Sequence, residues 1–208
     1  MVEENLNFFD YFQIASVIAF LAIVAARIIY LRMRKSINPV AIGGGKRGLA
    51  LAFELISFVG LVVWILEVLM TALQSPYGLF PSALETPLFD SDLVSLIGCA
   101  VVTFGLVVFL LAFISFGDSW RIGFDTRTPG GLVTTGIFAY TRNPIYVGMI
   151  LWFLGIFLIN RNLVFLIFLL LAIAAIHWQI LQEESFLKKL YARPYEEYLQ
   201  TTARYLFR

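Results

Sequence analysis

The sequence predicts an all-α integral membrane protein with about five transmembrane helices and an amphipathic C-terminal helix on the cytoplasmic side. Three observations predict it. The 208 residues are 60% hydrophobic and 14% charged, where a soluble domain carries about 25% charged residues, and the mean hydropathy is +0.86. Apolar stretches recur at 9–31, 49–73, 93–116, 144–159 and 163–181, at or near the roughly 20 residues a helix needs to cross hydrocarbon. Alternating strand-like runs bounded by turns are absent, which leaves no parallel sheet to carry a dinucleotide.

The opening "MVEENLNFFD" is acidic, whereas a cleavable signal opens with basic residues, so none is expected. The first two stretches form an N-terminal two-span hairpin over 1–91. Between them "AIGGGKRG" (41–48) invites a phosphate-loop reading, but it lacks the spaced glycine and the Ser/Thr after Lys. A linker is the better reading. Glu54 and Glu67 lie in the second stretch without a partner legible in sequence. Cys99, the only cysteine, lies inside the third stretch, so neither an internal disulfide nor a cysteine-rich metal site is available. It reads as a packed, inert thiol. The fourth stretch is short, and "NRN" (160–162) alone separates it from the fifth. That pair is a tight hairpin, either tilted or stopping before the far surface.

Charge orders the loops. Arg32, Arg34, Lys35, Lys46 and Arg47 fill the first, and Arg121, Arg127 and Arg142 the third. Lys188, Lys189, Arg193, Arg204 and Arg208 fill the tail. The 74–92 loop has no Lys or Arg and carries Glu85, Asp90 and Asp92. Basic loops stay in the cytoplasm, so the N-terminus is expected outside and the C-terminus inside, at a plasma (inner) membrane. Only Arg161 breaks the alternation. The 117–143 loop and the tail then share one face and can meet. A net charge of +1 gives no case for nucleic acid.

Pro144 suits the first position of a helix, and Asn143 before it suits the N-cap. The fourth helix thus starts at Arg142-Asn143-Pro144, with free amides that can receive a carboxylate or phosphate. Against this stands a plain cap with Arg142 snorkelling to the interface. The preceding "SFGDSWRIGFDTRTPGGLVTTG" (115–136) is long for a connector, and such loops are functional or disordered. Trp120, Ile122, Phe124, Leu132 and Val133 favour a packed one. Trp120 reads equally as an interfacial anchor. Beyond the fifth stretch, Gln179 and Glu183 share one helix face, and His177 and Glu184 another. Glu183 and Glu184 at the membrane edge read as a site or as a solvated helix end. His177 has no second ligand nearby, so a packed histidine is the reading and no metal is expected.

"GGLVTTGIFAYTRNPIYVG" followed by "EESFLKKLYARPYEEYLQTTAR" resembles the isoprenylcysteine carboxyl methyltransferase family and related membrane phospholipid methyltransferases. The shared features are Leu132-Val133, Gly136 and Phe138, Arg142-Asn143-Pro144, Tyr146 and Gly148, then Glu183-Glu184, Tyr195, Tyr198 and Arg204. "FGDSWRIG" upstream is similar to the family's Gly-x-x-Trp. The resemblance covers about residues 115–208. It implies that 92–208 is a methyltransferase-like core of three spans, a cofactor loop (117–143) and a tail (183–208). It further implies S-adenosylmethionine as cofactor, lined by Leu132, Val133, Gly136, Asn143, Tyr146, Glu183 and Glu184. Glu183 and Arg142 are the candidate catalytic groups, and Trp120 and Gln179 the candidate acceptor contacts. The implied partners are the lipid bilayer and a lipophilic or lipid-modified acceptor. Gln179 stands where close prenylcysteine methyltransferases carry arginine, and a neutral amide does not pair a carboxylate bidentately. A lipid amine, phenol, thiol or other apolar acceptor is therefore open too. Two rival functions are a membrane reductase using NADPH, of the sterol reductase type, and a non-catalytic membrane scaffold.

Overall fold

The computed structural model describes residues 6–35, 48–117 and 131–206. Its helices are α1 (Phe8–Lys35), α2 (Leu49–Ala72), α3 (Ser82–Glu85), α4 (Asp92–Phe116), α5 (Pro144–Asn160), α6 (Leu163–Tyr191) and α7 (Arg193–Thr201). A 3-10 turn at Gly136–Ala139 precedes α5. No strand occurs among the described residues.

The protein is a multi-pass membrane protein, and its helices fit that solvent. Segments of α1, α2, α4 and α6 are long and apolar enough to cross a membrane, while α5, at 17 residues, is shorter. The fourth of the five expected spans is thus a short apolar helix, and local chemistry shows why. Arg161 adopts a left-handed conformation (φ 54, ψ 31) and ends α5. Asn162 then starts α6, its Oδ1 accepting from the Phe165 amide at 3.0 Å. The arginine that breaks the charge alternation is a buried staple. It donates to Phe89 O (3.1 Å), Ser91 O (2.8 Å) and Ser95 Oγ, which fastens the hairpin turn to the start of α4. At the N-terminus Asn7 Oδ1 accepts from the Phe9 amide at 2.8 Å, and Asp10 Oδ2 accepts back from the Asn7 amide at 2.9 Å. This reciprocal pair satisfies amides that α1 cannot use internally.

Apolar side chains gain little by leaving lipid, so close packing and interhelical hydrogen bonds must hold the bundle. Both are present. Phe20 of α1 stacks on Trp152 of α5 with centroids 4.3 Å apart. Trp64 of α2 stacks on Phe153 at 4.0 Å and meets Trp152 edge-on at 4.7 Å. The first two helices therefore share one aromatic core with α4 and α5. A polar seam adds to it: Asn160 Nδ2 donates to Gln13 Oε1 at 2.6 Å, and Trp152 Nε1 to Ser16 Oγ at 3.3 Å.

The tightest contact joins α4 and α5 through glycines. A Cβ at Gly155 would lie 2.7 Å from Gly98 O and 2.5 Å from Val102 Cγ2. One at Gly148 would lie 2.8 Å from Gly105 O. The two pairs, each seven residues apart on its helix, let the backbones touch. Gly155→Ala should therefore destabilise the protein by about 1–3 kcal/mol, the usual cost of overpacking. Thermal unfolding in detergent checks this, and an unshifted midpoint would show that the contact has slack.

Candidate functional site

The loop before α5, the start of α5 and the tail after α6 come together at one end of the bundle. Thr141 pairs with Ala203 in a parallel bridge, and the Arg142 amide donates to Ala203 O at 2.9 Å. Asn143 occupies the N-cap position, but its side chain does not cap α5. Its Nδ2 instead donates to Arg204 O at 3.0 Å, which ties the tail to the helix start. The Thr141 hydroxyl donates to the same carbonyl at 3.2 Å.

A buried charge cluster closes this clasp. Arg142 donates to Glu184 Oε1 from Nη2 (2.8 Å) and Nε (3.2 Å), and from Nη1 to Thr202 O. Arg204 grips the same carboxylate, with Nη2 2.8 Å from Oε2 and Nε 3.1 Å from Oε1. The Arg142 and Glu184 side chains are only 9% and 6% exposed, that of Arg204 36%. Buried ions persist only when paired and hydrogen-bonded, and here each oxygen of Glu184 is engaged. The shared carboxylate holds Arg204 above its usual basicity. Glu184 thus meets the loop and the tail rather than an open space.

Two tyrosines finish the tail's attachment. Tyr198 donates its hydroxyl to Phe138 O at 2.6 Å, and Tyr195 meets its ring edge-on at 6.1 Å. Burial pushes the Tyr198 phenol up to about 12, and burial together with the Glu184 charge pushes Tyr195 up too. The folded value of Tyr198 exceeds the unfolded value of about 10. Its stabilisation is therefore complete below about pH 10 and lost as pH rises through about 12. Ultraviolet titration should show one phenol ionising near pH 12 that Tyr198→Phe removes. An unchanged alkaline profile in that variant would contradict the anchor.

One residue before Glu184, Glu183 points elsewhere. Its Oε1 accepts from Tyr146 Oη at 2.5 Å and from Gln179 Nε2 at 3.0 Å. Adjacent residues on a helix are about 100° apart, so the pair divides: Glu184 serves the clasp and Glu183 faces the first turn of α5. Nearby on α6, Trp178 packs against Phe53 of α2 with centroids 4.0 Å apart. His177 Nδ1 lies 2.7 Å from Tyr205 Oη. Half-buried Leu132 and Val133 lead into Gly136, whose φ of 63 favours glycine and whose Cβ would lie 2.5 Å from Ser115 Oγ. Trp120 falls at 118–130, outside the described residues. Among the described residues no group of three or more His, Cys, Asp or Glu could hold a metal ion.

Of the residues predicted from sequence, Arg142, Asn143 and Glu184 meet in the clasp, and Tyr146, Gln179 and Glu183 form a second polar group beside it. Thr141, Thr202 and the Phe138 carbonyl carry contacts that the sequence did not signal. Backbone carbonyls have no signature in side-chain identity.

Residues 93–194 match the family described as phospholipid methyltransferase. Protein-S-isoprenylcysteine O-methyltransferase of Schizosaccharomyces pombe is 40% identical over 68 residues, 32% of this chain and 29% of that protein. Probable protein-S-isoprenylcysteine O-methyltransferases of Oryza sativa subsp. indica and subsp. japonica are each 32% identical over 112 residues, 51% of this chain and 58% of theirs. Each match thus spans less than two thirds of the relative. The stretch matched to the phospholipid methyltransferase family runs from the first turn of α4 to that of α7 and includes Arg142, Tyr146, Glu183 and Glu184, and through it the chain is similar to the isoprenylcysteine O-methyltransferases.

Proposed function

We propose that the protein transfers a methyl group from S-adenosylmethionine to a lipophilic acceptor that reaches the site from the bilayer. The observation that carries this reading is the clasp: Arg142, Glu184 and Arg204 fasten the loop to the tail beside a separate Tyr146–Glu183–Gln179 group. The donor set suits the cofactor. Two guanidiniums on one carboxylate leave a formal positive charge near the first-turn amides of α5, which matches the cofactor's carboxylate. The Glu183 carboxylate matches its sulfonium or ammonium. When bound, the cofactor supplies an activated methyl group.

Leu132, Val133, Gly136, Asn143, Tyr146 and Glu183 would line the cofactor. Arg142 and Glu184 act as positioning residues, because their contacts go to each other and to the tail. Tyr146 and Gln179 fix the Glu183 carboxylate by donating to it. Orientation and exclusion of water are what an in-line methyl displacement demands, and well-aligned binding contributes about 7–11 kcal/mol in favourable cases. Gln179 and Trp120 are assigned to the acceptor side. The 92–208 part is the catalytic core and the 1–91 hairpin its anchor. The Lys/Arg distribution supports a cytoplasmic site, with the N-terminus outside a plasma membrane.

Calorimetry on the full chain in lipid discs tests the cofactor, with S-adenosylmethionine against NADPH. A tritiated-methyl assay on native lipid extract tests the acceptor. Binding of S-adenosylmethionine and a labelled lipid-phase product are expected. Binding of NADPH alone would identify a reductase, and the absence of binding and product would identify a scaffold.

A further inference from the structure

At the end of the bundle away from the clasp, α2 ends beside α3 and the α5–α6 turn. A cavity of about 210 Å³ opens there, lined by Glu67, Thr71, Gln74, Ser75, Gly78 and Glu85 among others. Glu67 is 1% exposed. Its Oε2 and Glu85 Oε1 are both buried and without a hydrogen-bond partner. The Leu79 amide serves the Glu67 carboxylate, and Asn162 Nδ2 donates to the backbone carbonyl of Glu85 at 3.2 Å. Gly78 makes room for the second carboxylate: a Cβ there would lie 2.6 Å from Glu85 Oε1.

Two carboxylates that face one cavity repel each other, and an unpartnered buried carboxylate is expensive. Among the described residues no basic one lines the cavity, and the 74–92 segment contains none. Arg161 on the adjoining turn is occupied by Phe89 O, Ser91 O, Ser95 Oγ and the Asp90 carboxylate. Among the described residues no positive charge answers the two carboxylates.

The lining chemistry narrows the choice. Thr71, Ser75 and Gln74 add neutral oxygens to the two carboxylates, and Met70 supplies the one sulfur. Oxygen-rich sets with two carboxylates suit hard divalent cations, which keep some of their waters. The volume leaves room for those waters. Among the described residues no aromatic ring lines the cavity, as one would for a quaternary ammonium. We propose that this cavity binds one divalent cation of the calcium type, ligated by Glu67 and Glu85. The ion joins the end of α2 to the segment around α3. This site rests on the geometry of the far end and is independent of the methyltransferase reading.

The full chain, stripped with chelator in detergent, is titrated with Ca2+, Mg2+ and ethanolammonium while radiolabelled calcium binding and the melting midpoint are followed. One saturable calcium per chain and a raised midpoint are expected. The double variant Glu67→Gln/Glu85→Gln, which preserves side-chain volume and removes the repulsion, should stay folded and lose at least tenfold in affinity. Gly78→Ala should weaken binding several-fold by displacing the Glu85 carboxylate, without changing helix content. Lack of saturable divalent binding up to about 10 mM, above the weak calcium-module range of about 0.1–1 mM, would overturn the proposal. So would equal calcium binding by the double variant, or stabilisation by ethanolammonium alone.

Discussion

Replacing Glu184 by alanine is expected to undock the tail and to cost about 3–5 kcal/mol, the range for removing one partner of a buried pair. The cost comes chiefly from Arg142. Its side chain is 9% exposed, so the loss of Glu184 leaves a guanidinium with little water and, among the described residues, the Thr202 carbonyl as its remaining hydrogen-bond partner. Arg204, at 36% exposure, can turn toward solvent. The exposed Arg193–Glu197 pair gives the contrast. It is as short, at 2.9 Å, but 87% and 63% exposed, and such i,i+4 pairs contribute about 0.3–0.5 kcal/mol. Burial, not distance, separates the two. Hydrogen exchange at residues 195–206 measures the effect. Protection should fall there in Glu184→Ala and remain in Glu197→Ala. Replacing Arg142, Glu184 and Arg204 together by Met, Leu and Met should be far milder for stability, since no ion is stranded. Unchanged exchange in Glu184→Ala would mean that the backbone bridge to Ala203 alone retains the tail.

The same contrast explains what could be read from residues alone. Long apolar runs fix helices whatever their neighbours, so the spans were legible, including the break at "NRN" and the continuation of the last helix past 181. What hydropathy could not settle was α5, whose 17 residues fall short of the others. Arg161 looked like a topological exception because charge patterning counts arginines and cannot see the carbonyls that bury one. Asn143 matched a capping residue by type and position, yet the tail competes for its amide. The Gly98–Gly155 and Gly105–Gly148 contacts were hidden because a seven-residue spacing marks a face without naming what packs there. Glu67 had no partner in sequence for the same reason: Glu85 reaches its cavity only through the fold. Glu183 and Glu184 were legible as a pair, but their division of labour required helical phase and the position of the tail.

That division makes Glu183→Ala the sharpest test of the proposed chemistry. Arg142 and Arg204 donate to Glu184, whereas Tyr146 and Gln179 donate to Glu183, so removal of Glu183 should leave the tail docked and the chain folded. Affinity for S-adenosylmethionine should nevertheless fall at least about 30-fold, since truncating a hydrogen-bonded charge in a binding site costs about 2–5 kcal/mol. Glu183→Gln separates charge from hydrogen bonding. Its amide oxygen can still accept from Tyr146, so a loss as large as that of the alanine variant assigns the effect to the negative charge. Tyr146→Phe removes the donor at 2.5 Å but keeps the charge and the ring. It should lose about tenfold, in line with a hydrogen bond to an ionised group. Losses in both Glu183 variants that exceed that of Tyr146→Phe are what a carboxylate facing a cationic cofactor requires. Wild-type affinity in Glu183→Ala, with the tail still protected from exchange, would remove this residue from the site and leave the clasp as structure alone.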